Sequence, residues 1–436
     1  MLEAACALGR AVNYESAGTV EFICDVARQD FYFLKVNTRL QVEHPVTEAL
    51  YGVDLVEWMI RQAAGEDVLS GAENLTPRGA AMEARLYAEN PGAGFRPSAG
   101  LLTEVVFPEG VRVDGGIETG AEVTANYDPM LAKIIVHGDT RDDALAKLRA
   151  ALAQTRIFGV ETNLAYLSAI AGSPAFQRGE VATNLLGQFP FQPRSLGVLS
   201  LGAQSTLQEP PGRVGLWDVG VPPTGPMDAL SFRLANALVG NCETATALEM
   251  TARGPTLRFN ADAVFALAGA RMKATLEGVE IPNHAPLAAK ASQALALGAV
   301  EGPGLRAYLA LRGAFDAPVY LGSRATFTLG GFGGHGVGAL KAGDGLRFAD
   351  TPAPDEPRPA QPQEIPALTH DWRLSVLYGP HGTPDFFLDE DIETLFGAAY
   401  EVHFNSARTG VRLSGPPAEM GARGRGRGGP ASLQHS

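Results

Sequence analysis

Beyond residue 197, short apolar runs recur about every ten residues between Gly- and Pro-rich turns: Arg258–Phe259, Ala263–Ala268, Arg306–Leu311, Val319–Leu321 and Thr326–Leu329. Runs this short cross a sheet rather than build a helical core, and their spacing predicts a β-rich sandwich or barrel. A Pro-rich linker around Asp350–Pro366 interrupts the pattern, and Leu374–Leu377 reads as one further strand. From Gly421 to Ser436 the chain is rich in Gly, Arg and Ser; it cannot bury a core there and reads as a disordered tail.

The first part of the chain follows other periods. Ala, Leu and Val at helical spacing predict a helix over residues 2–13, and strands are expected at Thr19–Cys24 and Phe31–Val36 around a polar turn at Gln29-Asp30. Val46 to Ala64 reads as one helix with Leu50, Val53, Leu55, Val56 and Met59 as its core stripe. After a Gly/Asn/Pro-rich link at Gly71–Gly79, strands at Ala81–Ala88, Leu101–Phe107 and Leu131–Val136 predict a compact α+β unit. Thr140 opens a helix in the manner of a capping box with Asp143, and Leu145, Leu148 and Leu152 share one face. A second helix runs from about Glu161 to Ala171. Composition changes at Phe189–Gly197, where Pro190, Pro193 and Gly197 flank Gln192 and Arg194, and a domain boundary is placed there.

With 436 residues, 45% of them hydrophobic and 19% charged, the chain is expected to form two or three globular domains. A net charge of −13 argues against nucleic acid or an anionic membrane as partner. Three widely spaced cysteines, Cys6, Cys24 and Cys242, make neither a disulfide framework nor a CxxC metal site, and they suit a reducing cytosol. The apolar runs are too short to span a bilayer, and Met1–Arg10 has an early acid and no basic start, unlike a signal peptide. A cytoplasmic location is therefore expected.

The densest chemistry lies between Val36 and Glu48. Arg39, Gln41 and Glu43 stand on alternate residues, so an extended backbone would aim a guanidinium, an amide and a carboxylate the same way. Such a strip can hold a small oxyanion while the carboxylate takes its proton. A solvated strand edge would show the same alternation.

This string resembles the bicarbonate-binding motif of biotin carboxylases almost letter for letter. The resemblance continues, in order, through Ala17–Phe22, Glu83–Pro91, Arg96–Gly100 and Tyr127–Lys133, and covers the chain to about Gln188. It implies the C-terminal part of an ATP-grasp domain at 1–70 and a biotin carboxylase C-terminal α+β domain at 71–190. It further implies that Arg39, Gln41 and the Val42 backbone hold bicarbonate, that Glu43 is its general base, and that Arg85 stabilises charge on a biotin enolate. Glu21 with Asn37 would ligate Mg²⁺ or Mn²⁺ beside ATP. The chemistry suits these roles, since arginine forks onto planar oxyanions and carboxylates are good oxygen ligands for Mg²⁺. Taken alone, Glu21 reads as a salt-bridged strand residue, and Arg85 reads equally as a surface or domain-locking ion pair.

Two departures stand out. The family carries a metal-binding Glu two residues before Asn37, and here that residue is Lys35. Strand alternation puts Lys35 and Asn37 on one face. Unit charges ~4 Å apart interact by roughly 4 kcal/mol at an effective dielectric of ~20, so metal–ATP handling is expected to be badly impaired. In addition, no Gly-rich phosphate loop precedes Glu21, and this chain alone is expected to bind ATP poorly.

Residues from about Leu196 to Gly415 resemble the carboxyltransferase domain of urea carboxylases. The matching strings are Gly225–Asn236, Glu249-Met250-Thr251, Gly254-Pro255-Thr256, Gly322–Phe327, Leu329–Gly334 and Arg408–Leu413. The whole is then an α+β multidomain chain, ending in a β-rich, barrel-like, cyclophilin-like carboxyltransferase domain at 197–420, incomplete at its end, and the tail at 421–436. The implied reaction is ATP- and biotin-dependent carboxylation of urea to allophanate. A biotin carrier domain, bicarbonate and urea are the implied partners, and a homo-oligomer is compatible with it. Guanidine or 5-oxoproline is a chemically close alternative acceptor. Asp228 and Arg324 are the candidate substrate contacts. From the residues alone, Asp228 reads as a helix N-cap, and Gly330–Gly334 reads either as backbone approaching a carboxyl group or as a tight turn. Met272-Lys273 is the nearest look-alike of a biotinyl hairpin and reads as a decoy inside the carboxyltransferase region. The Arg-Gly run at Gly421–Gly429 could bind RNA but reads as a disordered or out-of-frame tail. The chain is thus expected to be a fragment of a urea carboxylase. The rival, which Lys35 favours, is a non-catalytic remnant that binds a ligand or partner.

Overall fold

The computed structural model describes residues 1–418 apart from Val26, Gly71, Thr183, Asp350, Pro380, Phe404, Asn405, Ala407 and Thr409; the tail at 421–436 lies outside the described residues. Helix α1 (Leu2–Ala11) precedes a hairpin of β1 (Thr19–Asp25) and β2 (Asp30–Asn37), whose register sets Glu21 opposite Lys35 and Thr19 opposite Asn37. The single helix expected over 46–64 is two, α2 (His44–Tyr51) and α3 (Leu55–Ala63). Gly52 ends the first with φ 69°, a conformation open to glycine at little cost, and the Asp54 carboxylate caps the second by accepting from the Glu57 N–H. The expected core stripe is not realised: α3 buries no residue, and Val56 is 43% exposed.

The next unit is built on an antiparallel sheet of β3 (Ala80–Tyr87), β4 (Arg112–Gly115) and β5 (Met130–Gly138), with β5 in the middle. Helix α4 (Arg141–Gln154) starts at Thr140, whose hydroxyl accepts from the Asp143 N–H. The Asp143 carboxylate takes the Asp139 N–H, so the reciprocal half of the expected box goes to a neighbouring residue. Leu145, Leu148 and Leu152 of α4 pack on Ala84, Ile134 and Val136, with α5 (Leu164–Gly172) alongside. Because side chains alternate along a strand, Glu83, Arg85 and Lys133 are left on the opposite face. The strand expected at Leu101–Phe107 is split into Gly100–Leu101 and Glu104–Val106, which pair with different partners, Glu122–Val123 and Arg156–Phe158.

The β-rich unit consists of β6 (Ser195–Ser200), β7 (Gln204–Gln208), helix α6 (Ala229–Leu238), and then strands β8 (Ala247–Thr251), β9 (Thr256–Phe259), β10 (Ala263–Gly269), β11 (Met272–Leu276), β12 (Val279–Glu280), β13 (Pro286–Ala289), β14 (Ala294–Val300), β15 (Arg306–Leu311) and β16 (Gly345–Arg347). They form two open antiparallel sheets, β12-β11-β14-β9-β6-β16 and β7-β8-β15-β10-β13; the barrel-like domain is a pair of sheets, with no closed barrel among the described residues. Their shared interior holds Leu196, Leu248, Leu257, Phe265, Leu295 and Leu309. On the outer face of the five-stranded sheet, small residues (Ala247, Ala266, Ala268, Ala310) let α6 approach closely and seat Phe232 on Tyr308. Alternation along β8 and β15 thereby turns Glu249 and Tyr308, directly opposite each other, toward α6 rather than the interior.

Three expected strands are absent. Val319–Leu321 and Thr326–Leu329 make only the isolated bridges Tyr320–Ser323 and Phe327–Phe332, because the intervening glycines turn the chain back on itself. Leu374–Leu377 belongs to no sheet, and Leu377 is 97% exposed. Lys273 lies inside β11 of the six-stranded sheet rather than at a hairpin tip.

The two large units are fastened at the Phe189–Gly197 boundary. The guanidinium groups of Arg347 and Arg156 lie 4.4 and 4.9 Å from the centre of the Phe158 ring. Arg347 donates to the Ile157 carbonyl at 2.9 Å, Arg156 pairs with Asp316 at 3.5 Å, and the Gly345 N–H donates to Glu161 at 3.1 Å. Cation–π and charged hydrogen bonds of this kind contribute about 1–3 kcal/mol together. Arg347→Ala is therefore expected to raise proteolytic cleavage within 189–194 about tenfold, a change of about 1.4 kcal/mol in local opening. Unchanged cleavage would show that the fastening lies elsewhere.

Candidate active sites

The carboxylase-like site straddles the hairpin and the three-stranded sheet. Strand β2 ends at Asn37, so Arg39, Gln41 and Glu43 sit in a turn rather than on the extended strip expected, and Glu43 occupies the N-cap position of α2. The turn still draws several of them together. Glu21 Oε1 accepts from Asn37 Nδ2 at 2.5 Å and from Gln41 Nε2 at 3.3 Å, and Arg39 Nη1 donates to Gln41 Oε1 at 3.2 Å. Lys35 Nζ stands 3.5 Å from the same Glu21 oxygen.

A second group approaches from β3 and β5. Arg85 Nη2 donates to Glu43 Oε2 at 2.5 Å, while its Nε reaches Glu83 Oε1 at 3.3 Å. Burial pushes the Glu83 carboxyl up from the usual carboxylate range, against the pull of Arg85 and Lys133, and its Oε2 has no hydrogen-bond partner among the described residues. Lys133 Nζ donates to the Val42 carbonyl at 3.2 Å and pairs with Asp114 at 3.2 Å, so it pins the turn to the sheet. Arg112 does the same from β4, meeting the buried Glu48 of α2 at 2.8 Å. Glu48 in turn accepts from the Leu55 N–H at 2.8 Å and thereby joins α2 to α3. Sequence reasoning did not single out Lys133, Glu83, Arg112 or Glu48. A lone lysine within the apolar run Leu131–Val136 was the available signal, since a buried ammonium must find partners.

A divalent ion does not fit beside Glu21 as these side chains stand. The one engaged carboxylate oxygen already faces an ammonium and two amides, and no group of three or more His, Cys, Asp or Glu that could hold a metal occurs among the described residues. The added positive charge repels a metal, and an amide N–H donates where a ligand must accept.

In the β-rich unit, Asp228 caps α6 by accepting the Ser231 N–H at 3.0 Å, as its sequence position predicts. Its own N–H donates to the Tyr308 hydroxyl at 2.7 Å, which donates to Glu249 Oε2 at 2.9 Å. Burial and the nearby Glu249 carboxylate raise the Tyr308 phenol far above its ordinary value. Glu249 also takes the Met227 N–H at 2.7 Å and faces Arg306 at 3.7 Å and Arg408. Arg324 belongs to a different set: its backbone N–H donates to Glu209 Oε1 at 2.7 Å and its Nη1 lies 3.6 Å from Glu209 Oε2. The two sets are linked by Gly225, whose N–H donates to Gln208 and whose carbonyl accepts from Arg408. Gly330 and Gly331 lie in a tight turn closed by the Phe327–Phe332 bridge, and the Gly334 N–H donates to the Arg324 carbonyl at 2.9 Å.

Family models match three consecutive stretches: "Carbamoyl-phosphate synthase L chain, ATP binding domain" at 1–70, "Biotin carboxylase C-terminal domain" at 83–188 and "Carboxyltransferase domain, subdomain A and B" at 219–429. Biotin carboxylase parts and a carboxyltransferase part thus follow one another on a single chain. The chain is 48% identical over 436 residues to the urea amidolyase of Saccharomyces cerevisiae and 47% identical over 439 residues to that of Lachancea kluyveri. Each match covers 98% of this chain and 24% of the relative. A crystal structure of the Kluyveromyces lactis urea carboxylase superposes with a TM-score of 0.91 at 47% identity, covering 96% of this chain and 38% of that one. Along nearly its whole length the chain is similar to urea amidolyases and urea carboxylases, and it spans about a quarter of the length of the curated relatives it matches. None of its described helices is long and apolar enough to cross a membrane.

Proposed function

We propose that this segment contributes the bicarbonate-handling and acceptor-handling parts of biotin-dependent urea carboxylation, with units at 1–70, 71–190 and 197–420. The observation that carries the proposal is the Arg85–Glu43 contact at 2.5 Å, which sets a candidate base, carried on the same turn as Arg39 and Gln41, against a guanidinium. Glu43 takes the bicarbonate proton, Arg39 and Gln41 hold the oxyanion, and Arg85 would stabilise negative charge on the biotin carbonyl oxygen when biotin is bound. Lys133 keeps the Val42 backbone in place. ATP and a carrier-borne biotin supply the activating phosphoryl group and the shuttling nitrogen. In the β-rich unit Asp228 and Arg324 meet the acceptor, urea, to which a carrier domain would deliver the biotin-borne carboxyl group. The similar proteins are a urea amidolyase and a urea carboxylase, which supports urea over guanidine or 5-oxoproline as acceptor.

One observation favours a second reading, a non-catalytic segment: Lys35 occupies the Glu21 carboxylate. The deciding experiment is bicarbonate-dependent ADP release by a full-length enzyme carrying this segment, with Lys35 and with Lys35→Glu. Release at least about 100-fold faster with Lys35→Glu is expected, the size of effect seen when one charged group at such a site changes sign. Equal rates would contradict the role given to Lys35, and no urea-stimulated release in either enzyme would favour the second reading.

A further inference from the structure

We propose that Glu249 and Tyr308 are a positioning pair that aims the Asp228 carboxylate at the acceptor, an inference that rests on Asp228 being an acceptor contact. Asp228 is half-buried, and its Oδ1 is held by the Ser231 N–H; its Oδ2 makes no hydrogen bond among the described residues. The direction of that free oxygen is set by the backbone turn Gly225–Asp228, and this turn is held from beneath. Tyr308 accepts the Asp228 N–H, and Glu249 accepts both the Tyr308 O–H and the Met227 N–H with one oxygen, Oε2. Its other oxygen faces Arg306 and Arg408, and Arg408 also donates to the Gly225 carbonyl. Every residue of the turn except Pro226 is thus bonded to the same carboxylate, directly or through one side chain.

The pair itself cannot drift. Glu249 and Tyr308 are opposite each other on adjacent strands, 2% and 0% exposed, and Tyr308 is locked edge-on against Phe232 of α6. A carboxylate placed on a sheet face beneath the first turn of a helix is costly to bury unless it is fully bonded, and here it is. A purely structural role would need only an apolar pair at this spot, as Ala247, Ala266 and Ala310 provide on either side. The geometry therefore points to orientation of the turn as what the buried charge contributes.

Tyr308→Phe and Asp228→Asn, singly and together, in a full-length enzyme carrying this segment with Lys35→Glu, test the pairing, with urea as the varied substrate. Tyr308→Phe keeps the ring against Phe232 and removes only the hydroxyl. The expected result is a rise of about tenfold in the KM for urea, with the β-rich unit melting within about 3 °C of the parent. In the double variant the effect should not add to that of Asp228→Asn, because both act through one carboxylate. A normal KM for Tyr308→Phe where Asp228→Asn raises it would overturn the positioning role alone. A normal KM for Asp228→Asn would overturn both the acceptor contact and the inference built on it.

Discussion

Arg85→Ala is expected to slow urea-dependent carboxylation about 100- to 1000-fold, the range found when one preorganised donor is removed from a developing oxyanion. Arg85 reaches its place because β3 alternates: Ala84 and Leu86 go into the helix-covered core, while Glu83 and Arg85 face the turn that carries Glu43. Its fork serves two carboxylates at once, Glu43 at 2.5 Å and Glu83 at 3.3 Å. Removing it leaves Glu83, already pushed toward its protonated form by burial, without its guanidinium partner. Arg85→Lys should recover little, since a single ammonium cannot span both carboxylates in that geometry. Steady-state rates in a full-length Lys35→Glu enzyme check this; a fall of less than about tenfold for Arg85→Ala would place the charge-stabilising group elsewhere.

The second large effect is on stability. Arg213→Ala is expected to destabilise the β-rich unit by about 3–5 kcal/mol and lower its melting temperature by roughly 10 °C. Arg213 is 1% exposed and has no carboxylate partner at hydrogen-bond distance among the described residues; burial lowers its pKa from the ordinary value. Its fork instead collects backbone carbonyls: Tyr320 at 3.0 Å, Ser323 at 3.0 Å and Ala325, with Phe332 stacked 5.0 Å away. Tyr320 and Ser323 also bond each other across their bridge, whereas the Ala325 carbonyl has no backbone donor among the described residues and depends on Arg213. Gly333, at φ 77°, lets the chain pass so close that an added Cβ would fall 2.3 Å from the Ala325 carbonyl oxygen. Calorimetry of the chain reads the effect directly, and a shift under about 2 °C would contradict it.

Sequence legibility followed the range of the interactions. Helix caps and strand alternation are local, so Thr140, Asp228 and the burial of Leu145 and Leu148 were readable, as was the shared face of Lys35 and Asn37. The break at Gly52 was also local, but the apolar residues on both sides masked it. Arg213 was not readable, because its carbonyl partners lie 107 and more residues away and a loop of Val, Phe and Leu imitates strands when its organiser is unseen. Glu249 sat in plain view within an apolar strand, and only the placement of α6 over β8 shows why a charge belongs there. Arg39, Gln41 and Glu43 were identified as a group, yet the backbone that gathers them is a turn, which alternation cannot predict.

The central claim is that two separate sites on this chain serve one carboxyl transfer to urea. Fixation of labelled bicarbonate into allophanate by a full-length enzyme carrying this segment with Lys35→Glu tests it most directly, compared with Glu43→Gln and Asp228→Asn added singly. Urea-dependent label is expected in the parent and loss of label in both variants, with bicarbonate-dependent ADP release lost only in Glu43→Gln. Label fixed at the parental rate by either variant, or none fixed by the parent, would contradict it.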